Sequence, residues 1–193
     1  MEKTSIDSST KLIIIGGSAG SLDVLLHIVP SLKKTFSIPI VIVVHRKIPN
    51  DTVLPNLLST KTHLLVKEIE EKERIQPGSI YIVPGDYHVL IENDHTFSLD
   101  YSEKVNFSRP SIDVVFQSAA NVFRQHLVCI LVSGANADGT EGMQYVQQQG
   151  GTTIAQLPSS AEVAYMPEQA ILHNAAHYVL DLSDMADFLN KLD

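Results

Sequence analysis

The run Leu12-Ile13-Ile14-Ile15, halted by Gly16-Gly17, restricts the fold more than any other part of the chain. Four large apolar residues in succession leave a strand no polar face, so protein must cover both sides of it. Residues 38–44 and 127–133 repeat the pattern, and shorter strand-like runs follow at 63–66, 79–83, 152–155 and 178–180. Between them the apolar residues fall at helical spacing. Leu22, Leu25, Leu26 and Val29 form one such stripe with Ser21 as its expected N-cap; Val53, Leu54, Leu57 and Leu58 form another behind Asp51. A third begins near Ser111 and carries Ile112, Val115, Phe116, Ala119, Ala120 and Phe123. Helices are also expected near 140–149, 167–175 and 184–192. Residues 87–91 and 96–99 flank Glu92-Asn93-Asp94-His95, the pattern of an antiparallel hairpin. Strands alternating with helices predict an α/β fold, a doubly wound and mostly parallel sheet with helices on both faces.

The size suits one domain: 193 residues, 44% of them hydrophobic, supply a core without staples. Residues 1–10 are polar and read as a disordered leader, with a single domain from 11 to 193. They lack a signal-peptide hydrophobic segment, and no apolar stretch approaches the roughly 20 residues that span a bilayer. A cytoplasmic location without membrane insertion is the resulting expectation. A net charge of -8 argues against a nucleic-acid partner, whose phosphates call for clustered Lys and Arg. Cys129 is the lone cysteine and lies inside an apolar strand, the setting of a core thiol.

In doubly wound sheets ligands bind beyond the carboxyl ends of the strands. After the first strand comes Gly16-Gly17-Ser18-Ala19-Gly20, after the second His45, and after the 127–133 strand the loop that leads to Asp138. Imidazole can take the proton of a serine hydroxyl near neutral pH, and a carboxylate on its far nitrogen fixes the tautomer and steadies the imidazolium. Ser18 lies between small residues, and the N–H of Ala19 at the following helix start is an oxyanion donor.

Other readings compete. A glycine-rich turn is more often a phosphate cradle, but here no G-x-G-x-x-G can be placed, no Gly-Lys-Ser/Thr follows, and the second strand ends in His45 instead of a ribose-binding acid. The G-x-S-x-G string sits on strand one in the order Ser, His, Asp, unlike the usual α/β-hydrolase. Asp138 alone reads best as a cap of the helix that starts near Thr140. His63, His95, His126 and His177 read as surface residues. His173 and His177 lack the further ligand that a zinc pair needs.

Taken together, these segments resemble the catalytic domain of the chemotaxis protein-glutamate methylesterases, the CheB family. The resemblance runs from Lys11 to about Leu182 and includes Pro77-Gly78-x-Ile80-Tyr81-Ile82-x-Pro84-Gly85-x-x-His88, Arg109-Pro110-Ser111-Ile112-Asp113 and Ser133-Gly134-x-x-x-Asp138-Gly139-x-x-Gly142. It implies a three-layer α/β/α sandwich whose serine strand lies between the histidine and aspartate strands. It also implies Ser18 as nucleophile, His45 as base and Asp138 as supporting carboxylate, with Ala19 and Ala135 near the oxyanion. Arg109 would either orient an acidic helical substrate or serve as a structural ion-pair partner. The implied activity is hydrolysis of glutamate methyl esters on a methyl-accepting chemoreceptor, releasing methanol, and some members also deamidate glutamines. No cofactor and no metal are expected. Three departures stand out: Ala19-Gly20-Ser21 where the family has Thr-Gly-Gly, Ala135-Asn136-Ala137 before the aspartate, and no receiver domain ahead of strand one. They leave room for a separate regulatory partner. They also keep open a catalytically weakened regulatory module or a hydrolase of another ester.

Overall fold

The computed structural model describes residues 10–46 and 52–193; the expected leader, apart from Thr10, and the Asp51 cap lie outside the described residues. Nine strands and six helices alternate along these residues. They are β1 (Leu12–Gly17), α1 (Ser21–Ser31), β2 (Ile40–Val44), α2 (Val53–Ser59), β3 (Leu65–Glu68), β4 (Ser79–Ile82), β5 (His88–Ile91) and β6 (Phe97–Asp100). After them come α3 (Ile112–Phe123), β7 (Leu127–Leu131), α4 (Thr140–Gln148), β8 (Thr152–Gln156), α5 (Tyr165–Leu172), β9 (Tyr178–Leu180) and α6 (Leu182–Leu192). Seven strands form one parallel sheet in the order β3-β4-β2-β1-β7-β8-β9, and β5 with β6 makes a separate antiparallel pair.

The central strands are apolar throughout because two cores claim alternate residues. Leu12, Ile14, Val41, Val43, Leu127, Cys129 and Leu131 face a layer made by α3, α4, α5 and the β5–β6 hairpin. Ile13, Ile15, Ile40, Ile42, Val44, Val128 and Ile130 face the opposite layer, built on α1, α6 and Leu58 of α2. This is the α/β/α sandwich, and the period-two pleat of each strand is what divides it. Cys129 is fully buried, which pushes its thiol well above the usual value.

The differences from the sequence reading fall at element ends. Strand β3 lies at 65–68 instead of 63–66; it is an edge strand with Leu65 60% exposed, so its hydrophobic pattern carries little information. Helix α1 has Gly20 at its N-cap, with φ of 75°, and Ser21 is its first residue instead of the cap. Helix α6 starts at Leu182 because the Asp181 side chain accepts from the Asp184 N–H at 2.9 Å. Helix α5 runs 165–172 instead of 167–175.

Topology places the switch point at β1. The chain leaves β1 for β2 on one side and returns to β7 on the other, so β1 is flanked by both. Register aligns Gly17 with Val44 and Gly16 with Leu131, which brings the residues following all three strands to one edge.

Close approach of α3 demands glycine at position 16, where a Cβ would come 2.5 Å from Cγ2 of Ile112. Gly16→Ala is therefore expected to cost about 1–3 kcal/mol in urea denaturation. Leu65→Ala on the exposed edge is expected to stay within about 0.5 kcal/mol. Equal losses for the two would contradict this packing.

Candidate active site

The edge beyond β1, β2 and β7 is built from three turns locked together by hydrogen bonds. The Ser18 N–H donates to the Ser133 carbonyl at 2.9 Å, extending the β1–β7 pairing past the sheet. Ser133 Oγ donates to the Ala19 carbonyl at 2.7 Å and accepts from the Val163 N–H at 2.9 Å. Ser133's own N–H is held at 2.9 Å by Oε1 of the buried Gln156. On the helix side, Ser21 Oγ and Ser21 N–H both donate to the Ser18 carbonyl, at 2.6 and 3.1 Å. The chain turns sharply here because Gly20 takes a positive φ that a side chain would strain. Ser18 is left partly exposed at the mouth of the turn. The Ala19 N–H meets no acceptor among the described residues and stands free beside it.

His45 follows β2, its N–H 3.4 Å from the Gly17 carbonyl. Its Nε2 lies 2.7 Å from Oδ2 of Asp138, and the pair is sheltered, with side chains 14% and 0% exposed. With Nε2 given to the carboxylate, Nδ1 is the ring nitrogen left for a proton from outside. Ser18 and His45 line two adjoining cavities. One, of about 280 Å³, is walled by Leu22, Leu25, Val53, Leu54 and Leu57. The other, of about 390 Å³, is walled by Arg46, Lys104, Phe107 and Arg109.

Asp138 sits where it does because it caps a helix, though not the one its sequence position suggests. Gly139 is the N-cap of α4, and no side chain caps that helix from this position. Asp138 reaches across to the N-terminus of α3. Oδ2 accepts from Ile112 N–H at 2.7 Å; Oδ1 accepts from Asp113 N–H at 3.1 Å and Ser111 Oγ at 2.9 Å. Asp113, in the first turn of α3, returns the favour: its Oδ1 accepts from Gly142 N–H of α4 at 2.6 Å. The two helices thus cap one another through carboxylates. Burial pushes the Asp138 carboxyl up, but the hydrogen bonds from His45, Ile112 and Asp113 outweigh it and hold it below the ordinary carboxylate range.

The other expected residues divide. Arg109 lines the cavity, but its donors are already engaged within the chain. Nε and Nη2 bind Asp86 Oδ1 at 3.1 and 2.8 Å, Nη1 binds the Ser102 carbonyl at 2.6 Å, and the guanidinium lies 3.8 Å over the Tyr101 ring. It fastens the 101–109 loop to the segment after β4. Ala135 is exposed on the loop after β7 and lines neither cavity that holds Ser18 and His45. His63, His95 and His177 are exposed, and His173 is exposed with its ring against the Gln169 carbonyl.

Several residues that shape the site carry no functional signal of their own in the sequence. Ser111 and Asp113 lie within the Arg109–Asp113 string, and Asn106 has no local signature at all. Buried His88 was visible only as a motif position. Its Nδ1 accepts from Ser111 N–H at 3.2 Å while Nε2 bonds to the Glu103 carbonyl at 3.0 Å, steadying the start of α3.

Known proteins share this fold. The chain matches the CheB methylesterase family over residues 13–189. A relative from Leptospira interrogans is 42% identical over 181 residues, which is 94% of both proteins. The protein-glutamate methylesterase/protein-glutamine glutaminase of Thermotoga maritima is 36% identical over 187 residues, and the match covers 95% of this chain and 54% of that protein. The crystal structure of the T. maritima CheB methylesterase catalytic domain superposes with a TM-score of 0.91 at 35% identity, covering 95% of this chain and 99% of that domain. The chain belongs to the CheB methylesterase family.

Proposed function

We propose that this protein is a serine esterase that hydrolyses methyl esters of glutamate side chains on a chemoreceptor protein, releasing methanol. The observation that carries the reading is the 2.7 Å bond between His45 Nε2 and Asp138 Oδ2, beside a serine that shares both cavities with His45. The names of the relatives add the glutamine side-chain amide as a second substrate of the same chemistry.

In this mechanism His45 Nδ1 takes the proton of Ser18 Oγ as the oxygen attacks the ester carbonyl. Negative charge collects on the carbonyl oxygen, where the free Ala19 N–H and the N-terminus of α1 stabilise it. Asp138 stays ionised and compensates the imidazolium. His45 then returns its proton to the methoxide, which leaves as methanol, and the acyl group remains on Ser18. A water deprotonated by His45 attacks this ester; the Ser18 bond breaks, the serine recovers the proton from His45, and the glutamic acid side chain departs and loses its remaining proton to solvent. The threonine that the family carries after its serine is Ala19 here, and a backbone donor needs no side chain. A helical substrate would lie over the apolar wall of Leu22 and Val53, both exposed at the cavity rim.

Methanol release from methylated receptor is the direct assay. Ser18→Ala is expected to lower it by about a thousandfold or more without lowering Tm, and release equal to wild type would refute the assignment.

Asp138→Asn is expected to lose both activity and stability, because the carboxylate serves His45 and α3 together. Its charged hydrogen bonds are worth about 1.5–3 kcal/mol. A carboxyl held below its ordinary range stabilises the fold fully above the unfolded value of about 3.9 and loses that contribution as pH falls through the lower folded value. Urea melts should therefore show the gap between wild type and Asp138→Asn wide at pH 7 and closing below about pH 4. A gap of the same size at both ends would show that the charge contributes nothing.

A further inference from the structure

Behind the His45–Asp138 pair lies a second buried carboxyl that the acyl-transfer scheme does not use. Asp113 is 3% exposed. Its Oδ2 accepts from Asn106 Nδ2 at 2.7 Å, and the same nitrogen stands 3.3 Å from Asp138 Oδ1. One amide nitrogen, with two hydrogens to give, therefore spans both carboxyls.

Two carboxylates this close in a buried site do not both ionise readily. Asp138 is the one that keeps its charge, because His45 and the α3 amides compensate it. Burial pushes Asp113 up to about 7, against the pull of the Gly142 amide, and the charges of Asp138 and Glu141 add to the rise. The other titratable groups on neighbouring elements are His45 across Asp138, His88 of β5 behind Ser111, and His173, which shares a cleft of about 410 Å³ with Asp113 and Asp138. That cleft gives the Asp113 proton a route to water.

We propose that Asp113 is a positioning residue for the hydrolysis, which holds Asp138 through the Asn106 bridge and, on releasing its proton, strengthens His45 as a base. While Asp113 is neutral, Asp138 alone presents negative charge to the imidazole. When the O–H bond breaks and the proton passes to water, the two carboxylates together face His45, and the ring holds a proton at Nδ1 more firmly. The benefit is confined to pH values where Asp113 is ionised. The inference rests on the esterase reading for its consequence, although the coupling itself is a property of the folded protein.

Asp113→Asn supplies the test, since its amide is as neutral as the protonated acid but has no proton to release. The His45 ring is titrated by NMR in wild type and variant, alongside methanol release from pH 5.5 to 9. The His45 titration is expected to move about half a pH unit or more to lower pH in the variant. At pH 8, kcat is expected to fall three- to tenfold with KM within twofold, the deficit shrinking below pH 6. An unmoved His45 titration, or a deficit equal at every pH, would overturn the proposal. Asn106→Gly keeps the positive-φ turn and removes only the bridge; the Asp113 carboxyl carbon should then titrate at higher pH than in wild type, and no change would refute the bridge. Wild type that releases no methanol would sink the esterase reading alone, because the His45 response is read without turnover.

Discussion

The capping of α3 by Asp138 is the interaction on which the site depends. A carboxylate with its side chain fully sheltered is costly to keep charged unless donors surround it. Here the donors are the first-turn amides of α3, the Ser111 hydroxyl and the His45 ring. The partial positive charge of the helix N-terminus adds to them. The same carboxylate therefore fastens a helix, orients the His45 ring and keeps its own charge. Asp113 closes the circuit by capping α4, the helix that begins just after Asp138. Neither helix end can shift without disturbing the other's cap.

Glycine supplies the second constraint, because the two layers press on β1 from both sides. A Cβ at Gly17 would meet Ser21 and Val132 at 2.7 Å, just as one at Gly16 would meet α3. The backbone after β1 is thus wedged between α1 and the end of β7, and Ser18 emerges at a point fixed from three directions. Gly139 plays the corresponding part at the other turn. Its φ of 94° lets the chain fold directly from Asp138 into α4, beneath Leu131 and Ile112.

The fold was legible in the sequence wherever burial was two-sided. Leu12–Ile15 declared a central strand because both cores claim its residues, and the same holds for 127–131. At β3 the signal failed, since an edge strand with an exposed leucine obeys no strong pattern. The site followed the same division. Ser18, His45 and Asp138 stood out as candidates because strand ends at a switch point are few. The destination of the Asp138 cap was not, because capping preference is read from local sequence whereas this cap spans 26 residues from Ile112 to Asp138. Asn106 was illegible for a similar reason: its partners are set by how the 101–109 loop folds over the end of α3, and nothing in its neighbours announces that. Arg109 was left between two roles by sequence, and its three sets of partners give it a structural occupation.

The 105–108 turn shows how support and access are divided at the site. Val105 and Ser108 exchange two backbone hydrogen bonds, and the central residues Asn106 and Phe107 both take positive φ, as a type I′ turn requires. One of them points in and the other out. Asn106 binds the two carboxyls, while Phe107, 99% exposed, stands between the cavity that holds Ser18 and the cleft that holds Asp113. Phenylalanine in the left-handed region costs conformational energy, and an inward bond at the preceding residue is what offsets it. The Arg109–Asp86 pair fixes the far end of the same loop. A wall of the site that would otherwise be a free loop is therefore anchored at its tip to Asp138. Within that wall Asn106 is the side chain that ties the turn to both carboxyls.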